Sequence, residues 1–390
     1  MNLQPADRIG SIKPYFFASL GKKIVDMRSK GIDVIRLDMG SPDLPPADFI
    51  IDAMVSAARQ ANRHGYTLGS GTHRFRQAVS DHYKRRFGVA LDPKSEAIDL
   101  IGSKEGLFII SQVLLNPGDV SLVPDPGYGV YASGARVAGA DVHFAPLLEQ
   151  NRFLPDLASI PEEILDRAKL LWMNYPNNPT GGTATLDDFA RLLEFARSHD
   201  IFVAHDAPYT DVGFDGYKAP SLMQVPGAKE AAIEFNSLSK AYNMAGWRLG
   251  MAVGNAQVLK YIEDYKSQQD SAIFAPILAA GEAALSGDQA WIEERNAIYQ
   301  DRRDATIKAL AKTGLQADIP PAALYIWARV PEGTGSMDFC AQMLDEIGVS
   351  TTPGVVFGEH GEGFLRISLV SPVENIKKGM ERIIDWMGAK

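Results

Sequence analysis

Phe235-Asn236-Ser237-Leu238-Ser239-Lys240-Ala241-Tyr242-Asn243-Met244-Ala245-Gly246-Trp247-Arg248-Leu249-Gly250 is the stretch whose reading decides both fold and chemistry. The apolar run before it, Ala232, Ile233 and Phe235, reads as the end of a short strand. It then delivers two hydroxyls, an amine and a guanidinium in close succession. Ser237 and Ser239 alternate, so an extended backbone points both the same way. Lys240 follows directly, and Arg248 lies across a turn of small residues. Hydroxyls with a guanidinium suit a phosphate dianion, and a lysine beside them suits a Schiff base to an aldehyde. A phosphorylated aldehyde cofactor requires both together. A lone Ser-x-Ser-Lys would be an ordinary solvated turn; the companion segments remove that reading.

Working outward, Ile201-Phe202-Val203-Ala204 reads as a strand ending at His205-Asp206, and Lys169-Leu170-Leu171-Trp172-Met173 as another running into Asn174-Tyr175-Pro176-Asn177-Asn178-Pro179-Thr180-Gly181. Between them Thr185 and Asp188 form a capping box, followed by Leu186, Phe189, Leu192, Leu193 and Ala196 on one helical face. That strand–helix–strand length suits a parallel crossover. Upstream, Ala97–Ile101 reads as a strand followed by Gly102-Ser103-Lys104-Glu105-Gly106, with Ser103 as N-cap of an apolar helix whose free amides attract phosphate. Val120–Val123 ends in Pro124-Asp125-Pro126-Gly127-Tyr128. Repetition of such units over about 97–255 predicts an α/β fold with an open, mostly parallel sheet, whose ligands gather at the C-terminal strand ends. Lys104, Tyr128, Asn178, Asp206 and Ser237/Lys240 all fall just past such ends. Near the N-terminus, Val34–Asp43 reads as a strand stopped by Gly40-Ser41-Pro42. After about 285 the pattern changes to a smaller α+β unit, with a long helix over 288–312, strands at 323–328 and 364–369, and a closing helix to Trp386.

The chain has 390 residues, which predicts more than one domain. A net charge of −9 without any basic stripe argues against nucleic acid as a partner. One cysteine, Cys340, excludes an internal disulfide, and no signal peptide or membrane-crossing run is read in the sequence, so a cytoplasmic location is expected. The seven histidines show no metal spacing, and neither a dinucleotide fingerprint nor a Walker loop is present.

In chemical terms, Asp206, following four apolar residues, reads as a buried carboxylate able to hold a proton on a cofactor nitrogen. Tyr209 and Asn178 are placed to hydrogen-bond a cofactor, and Tyr128 to stack on it. Arg366, set among apolar neighbours on a strand, needs an anion; a substrate α-carboxylate or a structural ion pair would supply it.

Taken with Val225-Pro226-Gly227-Ala228-Lys229-Glu230 and Gly358-Glu359-His360-Gly361-Glu362-Gly363, these segments resemble the fold-type I pyridoxal-phosphate (PLP) enzymes of aminotransferase class I/II over nearly the whole chain. Within that family they are most similar to the LL-diaminopimelate aminotransferases of the shorter bacterial type. The resemblance implies a large PLP-binding domain over 49–285, a C-terminal small domain over 286–390, and an N-terminal arm and part of the small domain over 1–48. It implies an exchange of an amino group between an L-amino acid and a 2-oxo acid, with LL-diaminopimelate and 2-oxoglutarate as the candidate pair; an alanine/aspartate-type aminotransferase and a PLP-dependent β-lyase are the alternatives. By residue, it implies that Lys240 holds the cofactor and moves the substrate's α-proton, with Asp206 and Tyr209 beside it. Ser103, Lys104, Ser237, Ser239 and Arg248 would cup the phosphate, and Tyr66 would reach the phosphate of the other subunit of a homodimer. Tyr15, Gly40, Tyr128, Asn178 and Arg366 would contact substrate, and the Asn178–Pro179 bond would be cis. A PLP-sensing regulator is disfavoured, because only about 30 residues precede the first strand and such proteins carry an added DNA-binding domain. The sequence departs from the resemblance at 207–211, 270–276 and 353–358, the last two expected near the pocket for the distal end of the substrate.

Overall fold

The computed structural model describes residues 3–10, 12, 16–67 and 70–389. Its twelve strands among these residues are β1 (Ile35–Arg36), β2 (Ala97–Leu100), β3 (Val120–Asp125), β4 (Asp141–Pro146), β5 (Ala168–Asn174), β6 (Phe202–Asp206), β7 (Ala232–Ser237), β8 (Gly250–Gly254), β9 (Tyr325–Arg329), β10 (Val349–Ser350), β11 (Thr352–Pro353) and β12 (Phe364–Ser368). Seven of them form the central sheet in the order β2-β8-β7-β6-β5-β3-β4. Pairings from β4 through β3, β5 and β6 to β7 are all parallel. β8 runs antiparallel to both neighbours, because the chain reverses through the Lys240 turn straight into it rather than through a crossover.

The central strands read as unbroken apolar runs because both faces are covered. Alternation then divides each strand between two cores. On β5, Leu171 and Met173 enter one cluster, and Leu170 and Trp172 the other. On β7, Ala232 faces the first cluster, and Ile233 and Phe235 the second. The capping box at Thr185 forms as expected, and the helix Leu186–Ser198 buries Phe189, Leu192, Leu193 and Ala196.

A second assembly holds a three-stranded antiparallel sheet, β11-β12-β9, the parallel pair β1-β10, and the helices Ala290–Leu310, Ser336–Ile347 and Val373–Gly388. Its core includes Leu37, Ile326, Leu365, Met343, Met380 and Ile383, and also takes in Tyr209, Val212 and Phe214 from the segment after β6. The two cores are therefore stitched together next to Asp206. A half-buried ion pair, Arg302–Asp43 at 2.7 Å, ties the N-terminal segment to the long helix. β1 is shorter than the strand read within Val34–Asp43: Ile35 and Arg36 pair with β10, and Leu37 then bonds through its backbone to both Ser350 and Ser368. Among the described residues no helix is long and apolar enough to cross a membrane.

Candidate active site

The C-terminal ends of the parallel strands converge on a cleft of about 440 Å³. The side chains around it come from both assemblies, and the physical features of each define what it can bind.

Asp206 ends β6 and is buried. One carboxylate oxygen, Oδ2, accepts a hydrogen bond from the Tyr131 hydroxyl at 2.7 Å. The other, Oδ1, is buried and has no hydrogen-bond partner among the described residues. Burial pushes this carboxyl up to about 6, while the Tyr131 hydroxyl pulls the other way. An unpartnered buried carboxylate oxygen is costly and is explained by a donor that arrives with a ligand. Asn174 fixes the backbone behind it by donating to the Asp206 carbonyl at 2.7 Å.

Lys240 lies in the helical turn Leu238–Ala241 immediately after β7. Its Nζ donates to the carbonyl of Gly40. Burial is the main force lowering its pKa, with Arg366 and Arg248 acting in the same direction and Tyr325 and Asp206 opposing. The neutral amine is the form that attacks a carbonyl or accepts a proton, and a lowered pKa favours it.

The third feature is a cradle for an anion. Gly102 (φ +72°) precedes the helix Ser103–Leu114, so Ser103 is that helix's first residue rather than its cap. First-turn amides have no partner within a helix. A Cβ on Gly102 would come within 2.2 Å of the Arg248 guanidinium, and one on Gly250 within 2.5 Å of the Ser103 nitrogen. Glycine at both positions is what lets Arg248, the helix start and β8 close on one another. Arg248 is anchored to the Ala245 carbonyl at 2.9 Å and lies 3.5 Å from the Ser239 hydroxyl. The Ser237 hydroxyl accepts from the Ser239 amide at 3.2 Å. Lys104 sits over the Tyr128 ring at 5.6 Å, its pKa lowered by burial and by Arg248.

Arg366 is buried on β12 with no carboxylate at ion-pair distance among the described residues. Its two terminal nitrogens donate to Asn178 Oδ1 at 2.8 Å and to the Asp38 carbonyl at 3.0 Å, and its Nε has no partner among the described residues. Tyr325 lies under the guanidinium at 4.1 Å and Phe357 at 4.8 Å. Among the described residues the ion-pair alternative raised by the sequence is therefore not met. A buried guanidinium with a spare donor and neutral acceptors only can receive a carboxylate.

Asp206, Tyr209, Tyr128, Asn178, Ser103, Lys104, Ser237, Ser239, Lys240, Arg248, Gly40 and Arg366 all line this cleft. Tyr66 does not; its side chain is 81% exposed. Tyr15 lies outside the described residues. The Asn178–Pro179 bond is cis, as are Asp125–Pro126 and Tyr175–Pro176. Sequence reading missed Tyr131, Tyr325 and the Arg36–Asp38 ion pair, which also borders the cleft. Tyr131 lies three residues after Tyr128, and nothing in that spacing directs it at Asp206. Tyr325 shares a sheet face with Arg366 through the β9–β12 register, in which Arg366 opposes Trp327; that register does not exist in the sequence.

A lysine, an unsatisfied buried carboxylate and an anion cradle on the edge of a doubly covered α/β sheet define the site of a fold-type I PLP enzyme. The chain belongs to the family described as aminotransferase class I and II, whose model matches residues 32–383. It is 47% identical over 386 residues to the LL-diaminopimelate aminotransferase of Moorella thermoacetica, with 99% of each chain covered. It is 46% identical to the enzyme of that name from Dehalococcoides mccartyi, over 97% of this chain and 98% of the relative. Among solved structures, substrate-bound BacF from Bacillus subtilis superposes with a TM-score of 0.95 at 36% identity, covering 99% of this chain and 98% of that one. A probable N-succinyldiaminopimelate aminotransferase from Thermus thermophilus gives 0.90 at 38% identity, over 95% and 99%. The chain is thus a PLP-dependent aminotransferase, acting between an amino acid and a 2-oxo acid.

The raised Asp206 carboxyl carries a stability consequence for the cofactor-free protein. Its folded value, about 6, exceeds the ordinary 3.8, so the folded state binds the extra proton between those values and loses stability as pH rises through them. Asp206→Asn removes that penalty. Urea unfolding of the cofactor-free protein should show the variant more stable at pH 7 by on the order of 3 kcal/mol, with the gain vanishing below about pH 4. A gain of equal size at pH 4 and pH 7 would contradict it.

Proposed function

We propose that this aminotransferase takes LL-diaminopimelate as amino donor and 2-oxoglutarate as acceptor, at a site centred on Lys240. The observation that carries the site assignment is the pair formed by Lys240 Nζ and the unpartnered Asp206 Oδ1 in one cleft. The donor follows from the names of the relatives that match over full length.

In this reading the residues divide the work. Ser103, Lys104, Ser237, Ser239 and Arg248 hold the cofactor's phosphate, the helix amides and guanidinium matching its charge. Tyr128 covers the ring face. Asp206, through its unpartnered Oδ1, would hold a proton on the cofactor's ring nitrogen. When bound, the cofactor supplies an electron sink for the charge left as the substrate's α-proton departs. Tyr209 and Asn178 would hold its phenolic oxygen, and the Tyr209 hydroxyl is itself held by Tyr325 at 2.8 Å. Arg366 receives the substrate's α-carboxylate on its spare N–H groups, with Gly40 lining the same end. The Lys240 amine, its pKa depressed by burial, accepts the α-proton and returns it. Phe17, Tyr325 and Phe357 around Arg366 keep water from that end of the cleft. Asp206 and Lys240 belong to a large cofactor-binding domain over 49–285, and Arg366 to a small domain over 286–390 that residues 1–48 join.

The same reading makes the protein a homodimer with shared sites, Tyr66 reaching the partner's phosphate and Tyr15 lying near substrate. The exposure of Tyr66 in a glycine-rich loop supports this.

Titrating the yellow cofactor-loaded protein with single amino donors should bleach its visible band with LL-diaminopimelate and release the matching 2-oxo acid. Lys240→Ala should retain PLP without a covalent link and lose turnover by several orders of magnitude. Bleaching by alanine or aspartate alone would move the donor assignment, and near-normal turnover by Lys240→Ala would remove that residue from its role.

Mixing the Lys240→Ala and Tyr66→Ala proteins after partial unfolding tests the shared site separately. Hybrid dimers contain one site with both native residues, so activity should rise above that of either variant alone. Simple averaging of the two would contradict a Tyr66 contribution across subunits.

A further inference from the structure

Tyr131 lies in the helix Val130–Val137, one turn beyond Tyr128, and is fully buried. Its ring is held on two sides. It stacks on Trp172 of β5, with centroids 4.5 Å apart and planes 19° apart, and meets the Tyr128 ring edge-on at 5.9 Å. Trp172 in turn stacks on Phe235 of β7 at 6.4 Å. β6, which carries Asp206, lies between β5 and β7 in the sheet. The phenol ring is thus held between Trp172 of β5 and Tyr128, and its hydroxyl meets Asp206 Oδ2 of β6 at 2.7 Å.

A carboxylate with two nearly equivalent oxygens can rotate about its Cβ–Cγ bond. One strong donor on Oδ2 fixes that rotation and leaves Oδ1 as the oxygen directed elsewhere. We propose that Tyr131 is a positioning residue, holding the Asp206 carboxylate ionised with Oδ1 directed at the cofactor's ring nitrogen. This rests on the reading of Asp206 given above.

Donation to Oδ2 favours the charged carboxylate. The other titratable groups acting on Asp206 are His205 and Lys240. The His205 ring is turned into a separate buried network, with Nδ1 2.9 Å from Glu234, so the hydroxyl of Tyr131 is the direct contact. Without it the carboxylate is more basic. A proton shared between Oδ1 and the ring nitrogen then moves toward the oxygen, and the electron sink weakens.

Tyr131→Phe deletes only the hydroxyl. Bound to ¹⁵N-labelled PLP, this variant should show the ring-nitrogen resonance displaced toward the unprotonated value. Its kcat should fall roughly ten- to a hundred-fold, the range for a hydrogen bond to a charged group, with KM changed less than about twofold. In an Asp206→Asn background the same change should cost less than about twofold, because the group it acts through is gone. Trp172→Phe, which trims the stack and keeps the hydroxyl, should leave the nitrogen resonance in place. An unmoved resonance in Tyr131→Phe, an additive loss in the Asp206→Asn background, or an equal displacement in Trp172→Phe would each overturn the inference while leaving the cofactor site intact. A wild-type chain that takes up no PLP would overturn the cofactor reading, and this inference with it.

Discussion

The site depends on buried charge left without an ion pair among the described residues. Asp206 ends a central strand with one oxygen unpaired, and Arg366 sits among aromatic rings with neutral acceptors only. Both meet the same cleft as Lys240. Folding alone gains nothing from such groups; burying an ion without its counterion costs several kcal/mol. Their retention in one place is explained by a ligand that carries a cationic nitrogen at one end and engages an anionic substrate at the other. Elsewhere the chain treats buried charge differently. Glu234, equally buried, is surrounded by donors from Tyr83, Ser221, the Leu222 amide and His205. Arg302 has Asp43. The contrast between satisfied and unsatisfied buried ions separates framework from site.

Architecture makes the contrast possible. A mostly parallel sheet covered on both faces aligns five strand ends on one edge, so residues distant in sequence arrive at one cleft without a dedicated loop for each. The second assembly closes over that edge and supplies Arg366 from a strand, where a rigid backbone fixes its direction. The Tyr209 segment belongs by sequence to the large sheet and by packing to the second core, which links the cofactor end to the carboxylate end.

Much of this was legible in the sequence, for physical reasons that differ by residue. Lys240, Asp206 and Asn178 follow apolar runs that could only be buried strands, so their place on the sheet edge followed from periodicity. The Thr185 capping box is a local pattern and appeared as read. Contacts set by register or by stacking between strands were not legible. Tyr325 reaches Arg366 only through the pairing of β9 with β12, and Tyr131 reaches Asp206 only because helix and sheet place them together, 75 positions apart. The Ser103 cap failed for a local reason: Gly102 adopts a positive φ, and the helix begins one residue early. Whether Arg366 met an acid or a neutral shell could be decided only by its neighbours in space.

The central claim is that this cleft takes PLP on Lys240. Borohydride treatment of the cofactor-loaded protein makes a lysine-bound carbonyl compound permanent, so peptide mass mapping then locates it. The account predicts a phosphopyridoxyl group on the peptide containing Lys240 and on no other. Modification of Lys104 or another lysine in its place, or no modified peptide from a protein that is yellow, would contradict it.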